Sequence, residues 1–168
     1  MVRKELLVDP SLYDVYHPLA GIDEIRSYNK QRFEMEQLTA VVYENMVDIA
    51  CVGYKDVTEK EFWIRGHMPE FALMPGVIMC EVAAQLASFF TTKHRILENT
   101  ATLGFAGLDE VRFRGMVRPG DRLVMQVKLK PPVKKILVKA QFVGLVKDDL
   151  VCEGIVKGVP LILDKSGK

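Results

Sequence analysis

The sequence has few cysteines, a single tryptophan and no long uncharged apolar run. Its three cysteines, Cys51, Cys80 and Cys152, lie far apart and form no CxxC pair. That spacing argues against both a zinc site and a disulfide framework. Each lies in apolar sequence, so we expect buried, reduced thiols and a protein of the cytoplasm.

Other classes of protein are also disfavoured by what is missing. No segment approaches ~18–20 uninterrupted apolar residues, so we expect no membrane span, and the amino terminus lacks the apolar core of a signal peptide. The aromatic residues, 8% of the chain, do not alternate with a basic stripe, which disfavours nucleic-acid binding. The sequence contains no phosphate loop, dinucleotide fingerprint or H-E-x-x-H motif, so we expect no cofactor and no metal.

Charge is unevenly distributed along the chain, although the net charge is only +1. Residues 1–100 carry 10 Lys/Arg against 15 Asp/Glu, whereas residues 101–168 carry 13 against 7. The basic second half could attract an acidic partner, but a solvated sheet face rich in lysine explains the same charge. The length suits one domain over 1–168, with an irregular arm over about 1–21.

The pattern of apolar residues predicts one helix among antiparallel strands, which is an α+β arrangement. A short helix is predicted over 22–33, and a two-stranded hairpin over 39–54. Further strands are predicted over 100–113, 123–129, 135–146 and 150–160, with a break at 131–132. Gly104 and Gly107 predict a bulge in the first of these strands. Alternation around Gln126 predicts that the second is half-buried.

The stretch 75–92 predicts the helix around which the domain is organised. Pro75 suits a first helical turn, where its missing N–H would have had no intrahelical partner. Apolar residues occupy nearly every face of this helix, so we expect burial all round. The exceptions are Glu81, Gln85 and Ser88, whose spacing of four and then three places them on one stripe.

His67 and Glu81 are the residues whose types could carry a reaction. Histidine exchanges a proton near neutral pH, and burial opposes ionisation of a carboxyl group, which helps it act as an acid. The two residues lie on different elements, so spacing alone does not bring them together. A structural histidine and a glutamate bonded to backbone donors fit equally well. The helix start at Gly76 could stabilise an oxyanion, or could be only a good helix start.

Taken together, these motifs resemble the signature of the β-hydroxyacyl-acyl-carrier-protein dehydratases. The resemblance rests on WIRGHMP at 63–69, MPGV at 74–77, Glu81 and the Ala84-Gln85 pair. Downstream, the run 111–121 is similar to a further family motif that ends in Pro-Gly-Asp. The resemblance covers about 23–156 and implies a hot-dog fold, in which an antiparallel sheet curves around the central helix.

The resemblance implies a hydro-lyase of fatty-acid biosynthesis that converts a (3R)-hydroxyacyl thioester into a trans-2-enoyl thioester. It implies that His67 removes the α-proton and that Glu81 helps the 3-hydroxyl group leave as water. The Gly76 N–H would polarise the thioester carbonyl, and Gln85 would orient the Glu81 carboxylate. The substrate would be carried by acyl carrier protein. Each active site would form between the subunits of a homodimer. Three such dimers could assemble into a hexamer.

The chain departs from the family pattern in the loop after His67. Met68 stands where the family has Phe, and Glu-Phe-Ala at 70–72 stands where it has Gly-x-Pro. Glu81, where the dehydratase/isomerase branch carries Asp, argues against isomerisation as a second activity. The alternatives are a hot-dog acyl thioesterase and a non-catalytic acyl-binding relative, and the presence of both His67 and Glu81 weighs against the second.

Overall fold

The computed structural model describes residues 6–97, 102–130 and 136–161. Its helices and strands in chain order are α1 (Ile22–Tyr28), β1 (Ala40–Asn45), β2 (Ala50–Asp56), α2 (Gly76–Lys93), β3 (Thr102–Phe113), β4 (Arg122–Lys130), β5 (Val138–Val146) and β6 (Asp149–Leu161). Within these ranges the strands form one antiparallel sheet in the order β1-β2-β4-β5-β6-β3. The predicted break at 131–132 lies outside the described residues.

Helix α2 packs along one face of the sheet and contacts strands from β2 to β6. Its bounds confirm the predicted helix to within one residue at each end. Leu86, Phe89 and Phe90 are fully buried, and removing each such side chain from water stabilises the fold by roughly 1.5–3 kcal/mol. The helix lies close to β2 because Gly53 has no side chain, since a Cβ there would meet Leu86 Cδ1 at 3.0 Å. The predicted hot-dog architecture is confirmed.

The opposite face of the sheet is covered by residues 6–20, which we call the arm. Val8 packs in a second apolar cluster with residues of β1, β2, β4 and β5. The Gln126 side chain of β4 bonds the arm backbone: its Oε1 accepts from Leu7 N and Val8 N, and its Nε2 donates to Val8 O. The prediction of a half-buried β4 was therefore wrong, because the arm buries Gln126 completely.

Helix α1 ends at Tyr28, so the predicted extension to residue 33 was wrong. The chain becomes extended at Asn29, whose side-chain Nδ2 donates to the carbonyl of Gln85 in α2 at 2.9 Å. Residues 29–37, which we call the connecting segment, then run back along α2 with a short 3-10 turn at Phe33–Met35. A tertiary hydrogen bond, which no local pattern encodes, sets the end of this helix.

The remaining strand predictions are confirmed in the described ranges. β1 and β2 form the predicted hairpin, and β3 carries an irregularity between Phe105 and Gly107, as the glycines predicted.

The cysteines are free and buried. No helix in the described part of the chain is long and apolar enough to cross a membrane. β3 pairs with β6 and lies at the edge of the sheet.

Candidate active site

His67 lies half-buried in the loop between β2 and α2. Its backbone N–H donates to Trp63 O at 2.8 Å, and its Nδ1 lies 2.7 Å from Leu73 O. A carbonyl oxygen only accepts hydrogen bonds, so Nδ1 carries the proton in the neutral ring. The other ring nitrogen, Nε2, is then the atom that can accept a proton from a substrate.

His67 borders a cavity of about 330 Å³ that also contains the start of α2. The backbone N–H groups of Gly76 and Val77 donate to no residue that the structure describes. A Cβ on Gly76 would lie 2.6 Å from the ring of Phe113, so glycine allows this ring to pack against the start of α2. The structure therefore brings a proton acceptor and two unpaired helix N–H donors to one apolar cavity.

Glu81 lies half-buried on α2, one and a half turns after Gly76, and borders a second cavity of about 70 Å³. The wall of this cavity includes small residues of α2 and parts of β3, β5 and β6. Burial raises the pKa of the Glu81 carboxyl group, and hydrogen bonds from Gln85 and Gln31 oppose that rise. A carboxyl group with a raised pKa is suited to donate a proton.

Gln85 is fully buried and its carboxamide is bonded on every side. Its Nε2 donates to Glu81 Oε1 at 2.7 Å and to Met35 O at 2.6 Å. Its Oε1 accepts from Gln37 N at 2.9 Å. These bonds fix the side chain between α2 and the connecting segment, so the Glu81 carboxyl group meets a donor whose position is set.

The four predicted site residues fall into two groups. His67 and Gly76 share one cavity, and Glu81 and Gln85 are hydrogen-bonded beside the other. Among the described residues, no wall residue is common to the two cavities. No cluster in the same described ranges has the three His, Cys, Asp or Glu side chains that a metal ion would need.

The sequence did not reveal the connecting segment as part of this site. Gln31 borders the Glu81 cavity, and the Met35 carbonyl and Gln37 amide hold Gln85. These residues are about 50 positions away from α2 and form no motif with it. Only the polar residues inside a short amphipathic stretch could have indicated them, and such residues are usually solvated.

Comparison with known proteins identifies the family of this chain. Residues 29–155 match the FabA-like domain family. The 3-hydroxyacyl-[acyl-carrier-protein] dehydratase FabZ of Clostridioides difficile is 38% identical over 137 residues, which cover 81% of this chain and 94% of that protein. FabZ of Bacillus cytotoxicus is 40% identical over 104 residues, which cover 61% and 70%.

Solved structures show the same fold at low sequence identity. The dehydratase heterocomplex ApeI:P from Xenorhabdus doucetiae gives a TM-score of 0.66 at 17% identity, covering 88% of this chain and 93% of that one. The PaaI protein of E. coli gives 0.55 at 12% identity, covering 71% and 80%. Fold and site together define a hot-dog protein in which His67 and Glu81 lie beside a central helix. The chain belongs to the FabA-like family, among the FabZ-type 3-hydroxyacyl-acyl-carrier-protein dehydratases, which confirms the predicted resemblance.

Proposed function

We propose that this chain removes water from a 3-hydroxyacyl thioester carried by acyl carrier protein, in fatty-acid biosynthesis. The observation that carries the proposal is the position of His67 beside the N–H groups at the start of α2, and of Glu81 half-buried on the same helix, in a chain of the FabZ-type family. The reaction is a hydro-lyase reaction, in which a C–H bond and a C–O bond break and a C=C bond forms. We also propose that the protein acts in the cytoplasm, where free thiols such as those of its three cysteines stay reduced.

His67 acts as the base. Its Nε2 takes the proton from the α-carbon of the substrate, and the electron pair of that bond moves toward the thioester carbonyl. The Leu73 carbonyl, 2.7 Å from Nδ1, stabilises the imidazolium that forms. The N–H groups of Gly76 and Val77, at the positive end of the α2 dipole, stabilise the charge that develops on the carbonyl oxygen.

Glu81 acts as the acid. Its protonated carboxyl group donates to the 3-hydroxyl group, the C3–O bond breaks, and water leaves as the trans-2 double bond forms. The Glu81 carboxylate produced in this step accepts the hydrogen bond from Gln85. A fixed amide donor of this kind stabilises the ionised form without reorganisation.

The two groups act together across a homodimer. β3 is an edge strand of 12 residues, and Phe105, Leu108 and Phe113 along it are 51%, 39% and 51% exposed. Unpaired backbone groups and apolar side chains on an edge strand favour pairing with a second copy. A two-fold pairing of this kind uses the same surface on both subunits.

The register of such a pairing would join the two halves of the site. Phe105 borders the Glu81 cavity and Phe113 borders the His67 cavity. They are about 27 Å apart along an extended strand. If two β3 strands pair antiparallel around Asp109, each Phe105 lies opposite Phe113 of the other subunit. The Glu81 cavity of one subunit then meets the His67 cavity of its partner.

Mixing two inactive variants tests this arrangement. His67→Ala and Glu81→Gln should each be inactive alone, because each lacks half of the chemistry at both sites. A dimer of one variant with the other regains one intact site, so random exchange should restore about a quarter of wild-type activity. No recovery after verified subunit exchange would rule out a site shared between subunits.

The reaction itself is tested with a trans-2-enoyl carrier thioester, whose hydration is followed in the reverse direction. Wild type should hydrate it, and the two variants should lose at least about 100-fold in rate. A thioesterase would instead release free thiol, which is measured in the same samples. Release of thiol without hydration, or full activity of either variant, would contradict the proposed function.

A further inference from the structure

The connecting segment is fixed to α2 on both sides of Gln31. Before it, Asn29 Nδ2 donates to Gln85 O at 2.9 Å. After it, Met35 O and Gln37 N bond the Gln85 side chain. Arg32 further restrains the backbone of this segment, because its Nη1 donates hydrogen bonds to the carbonyls of Asn29 and Gln31. The backbone at Gln31 is therefore held in place relative to Glu81.

Gln31 and Gln85 differ in what their carboxamides can still do. Gln85 is buried, and each side of its amide already has a partner. Gln31 is half-buried, forms part of the wall of the same cavity as Glu81, and lowers the pKa of the Glu81 carboxyl group as a hydrogen-bond donor does. Gln31 is thus the amide that lines the same cavity as Glu81.

We infer that Gln31 is a positioning residue for the acid: it holds the Glu81 carboxyl group toward the cavity and stabilises the carboxylate formed on proton transfer. The inference rests on the proposed role of Glu81. An acid must give up its proton as well as hold it, and burial alone favours only holding it. Two amide donors on one carboxyl group offset that burial.

Other charged groups near this cavity do not take over the role. Lys157 of β6 also forms part of its wall, but its Nζ is paired with Asp109 Oδ1 of β3 at 2.8 Å. No other Asp, Glu, Lys, Arg or His among the described residues borders the cavity. In the proposed dimer, His67 of the other subunit would be the further titratable group that faces Glu81.

The test is Gln31→Met, which keeps the length of the side chain and removes the amide. Three quantities are measured on the full chain: the pKa of the Glu81 carboxyl by carbon NMR, kcat and KM against pH, and the unfolding midpoint. The Glu81 pKa should rise, because a donor to the carboxylate is lost. We expect kcat to fall about tenfold while KM changes less than about twofold.

Lys30→Met, an exposed neighbour in the same segment, is the matched control and should change none of these values. Gln31→Ala serves as a second variant if Gln31→Met does not fold. An unchanged Glu81 pKa in a folded Gln31 variant would overturn the inference, even if activity falls, because that result is what a structural role predicts. The NMR titration needs no turnover, so this outcome is distinct from failure of the proposed function, which appears as an active Glu81→Gln.

Discussion

At the scale of single residues, burial of Glu81 has opposite effects on function and stability. It suits the carboxyl group to donate a proton, but it destabilises the native state when that group ionises. Its carboxyl group lies on a helix that is otherwise apolar, and burial raises its pKa above 4.5, the usual value for glutamate. The native state therefore binds this proton more tightly than the unfolded state does. The resulting stabilisation is fully present below the unfolded pKa and is lost as the pH rises through the native pKa.

Glu81→Gln should therefore be more stable than wild type in alkaline solution, because the amide cannot ionise. The gain in thermal midpoint should be largest at about pH 8 and should shrink toward about pH 3, where wild-type Glu81 is protonated in both states. Scanning calorimetry across this range measures it. Equal midpoints for the two proteins at every pH would contradict the link between burial of Glu81 and its pKa.

Gly76 is a second residue whose type matters for the site. Gly76→Ala places a Cβ against the Phe113 ring and into the approach to the α2 N–H groups. We expect kcat/KM to fall roughly 10–100-fold, because the carbonyl oxygen loses part of its donor contact. Steady-state kinetics with the enoyl thioester measures the fall.

The matched control is Gly21→Ala. Gly21 also precedes a helix, but a Cβ there has nothing within 4 Å, so activity should be unchanged. The double variant Gly76→Ala/Phe113→Ala separates two causes. Full recovery of kcat/KM would show that only the displaced Phe113 ring had mattered and would contradict a role for Gly76 in carbonyl binding.

At the scale of elements, the arm is held against the sheet in part by one buried polar side chain, that of Gln126. The Gln126 carboxamide hydrogen-bonds the arm backbone as a neighbouring strand would, since it both donates to and accepts from that backbone. Tyr13 completes the contact, with its hydroxyl 3.1 Å from Gln126 Nε2. A polar residue in the middle of a buried sheet face is tolerated only because these bonds exist.

Gln126→Leu leaves the N–H groups of Leu7 and Val8 without an acceptor. We expect the free energy of unfolding to fall by roughly 2–4 kcal/mol, unless the arm detaches and limits the loss. Denaturant titration gives the total, and hydrogen exchange shows whether the amides of Leu7 and Val8 lose protection. Gln141→Leu, at a half-buried position on β5, is the control. Equal losses in both variants would mean that the arm contact contributes nothing specific.

At the scale of the whole molecule, β3 would determine, in the proposed dimer, whether the site is complete. A charge placed at the centre of this edge should oppose pairing of two copies, because it would have to be desolvated there. Leu108→Lys should therefore shift the protein toward monomers and reduce activity at least about tenfold. Analytical ultracentrifugation and rate assays at matched concentrations measure both effects.

Leu12→Lys is the control for that change. Leu12 is also exposed, but it lies in the arm on the other face of the sheet. It should leave assembly and activity intact. A Leu108→Lys protein that stays fully dimeric and active would contradict the proposed use of the β3 edge.

The charge of the whole molecule leads to a prediction about the carrier. Residues 101–168 are net basic, and Arg118 stacks on Phe71, in the loop that follows His67. If an acidic carrier protein docks there, KM for the carrier thioester should rise severalfold as salt increases from about 0.05 to 0.5 M. KM for a short pantetheine thioester should change much less. Identical salt dependence for the two substrates would contradict electrostatic docking.

Part of the site could be predicted because its residues are close together in sequence. The turn before α2, the glycine at its start and the Glu81–Gln85 spacing are local features, and local geometry follows from residue type and spacing. The connecting segment could not be predicted in the same way. Gln31 and Gln37 contact α2 only after the chain has reversed, and their pattern alone is that of an ordinary solvated stretch.

The same distinction holds for the buried faces. Apolar residues on every side of 75–92 determined that this helix is central, since such a helix must be buried somewhere. Alternation along β4 determined its strand character but gave the wrong exposure for Gln126. Burial of that face depends on what covers it, and the arm that does so lies about 118 residues earlier in the chain.

The sequence by itself therefore determined the central helix and the family motifs, and it supplied the two residues proposed as base and acid. Tertiary structure alone decided that His67 and Glu81 face separate cavities, that β3 contributes to the wall of both, and that Gln31 lies beside Glu81. The reason is physical: helix periodicity and capping act over a few residues, whereas the environment of a carboxyl group is set by whichever distant segments pack around it.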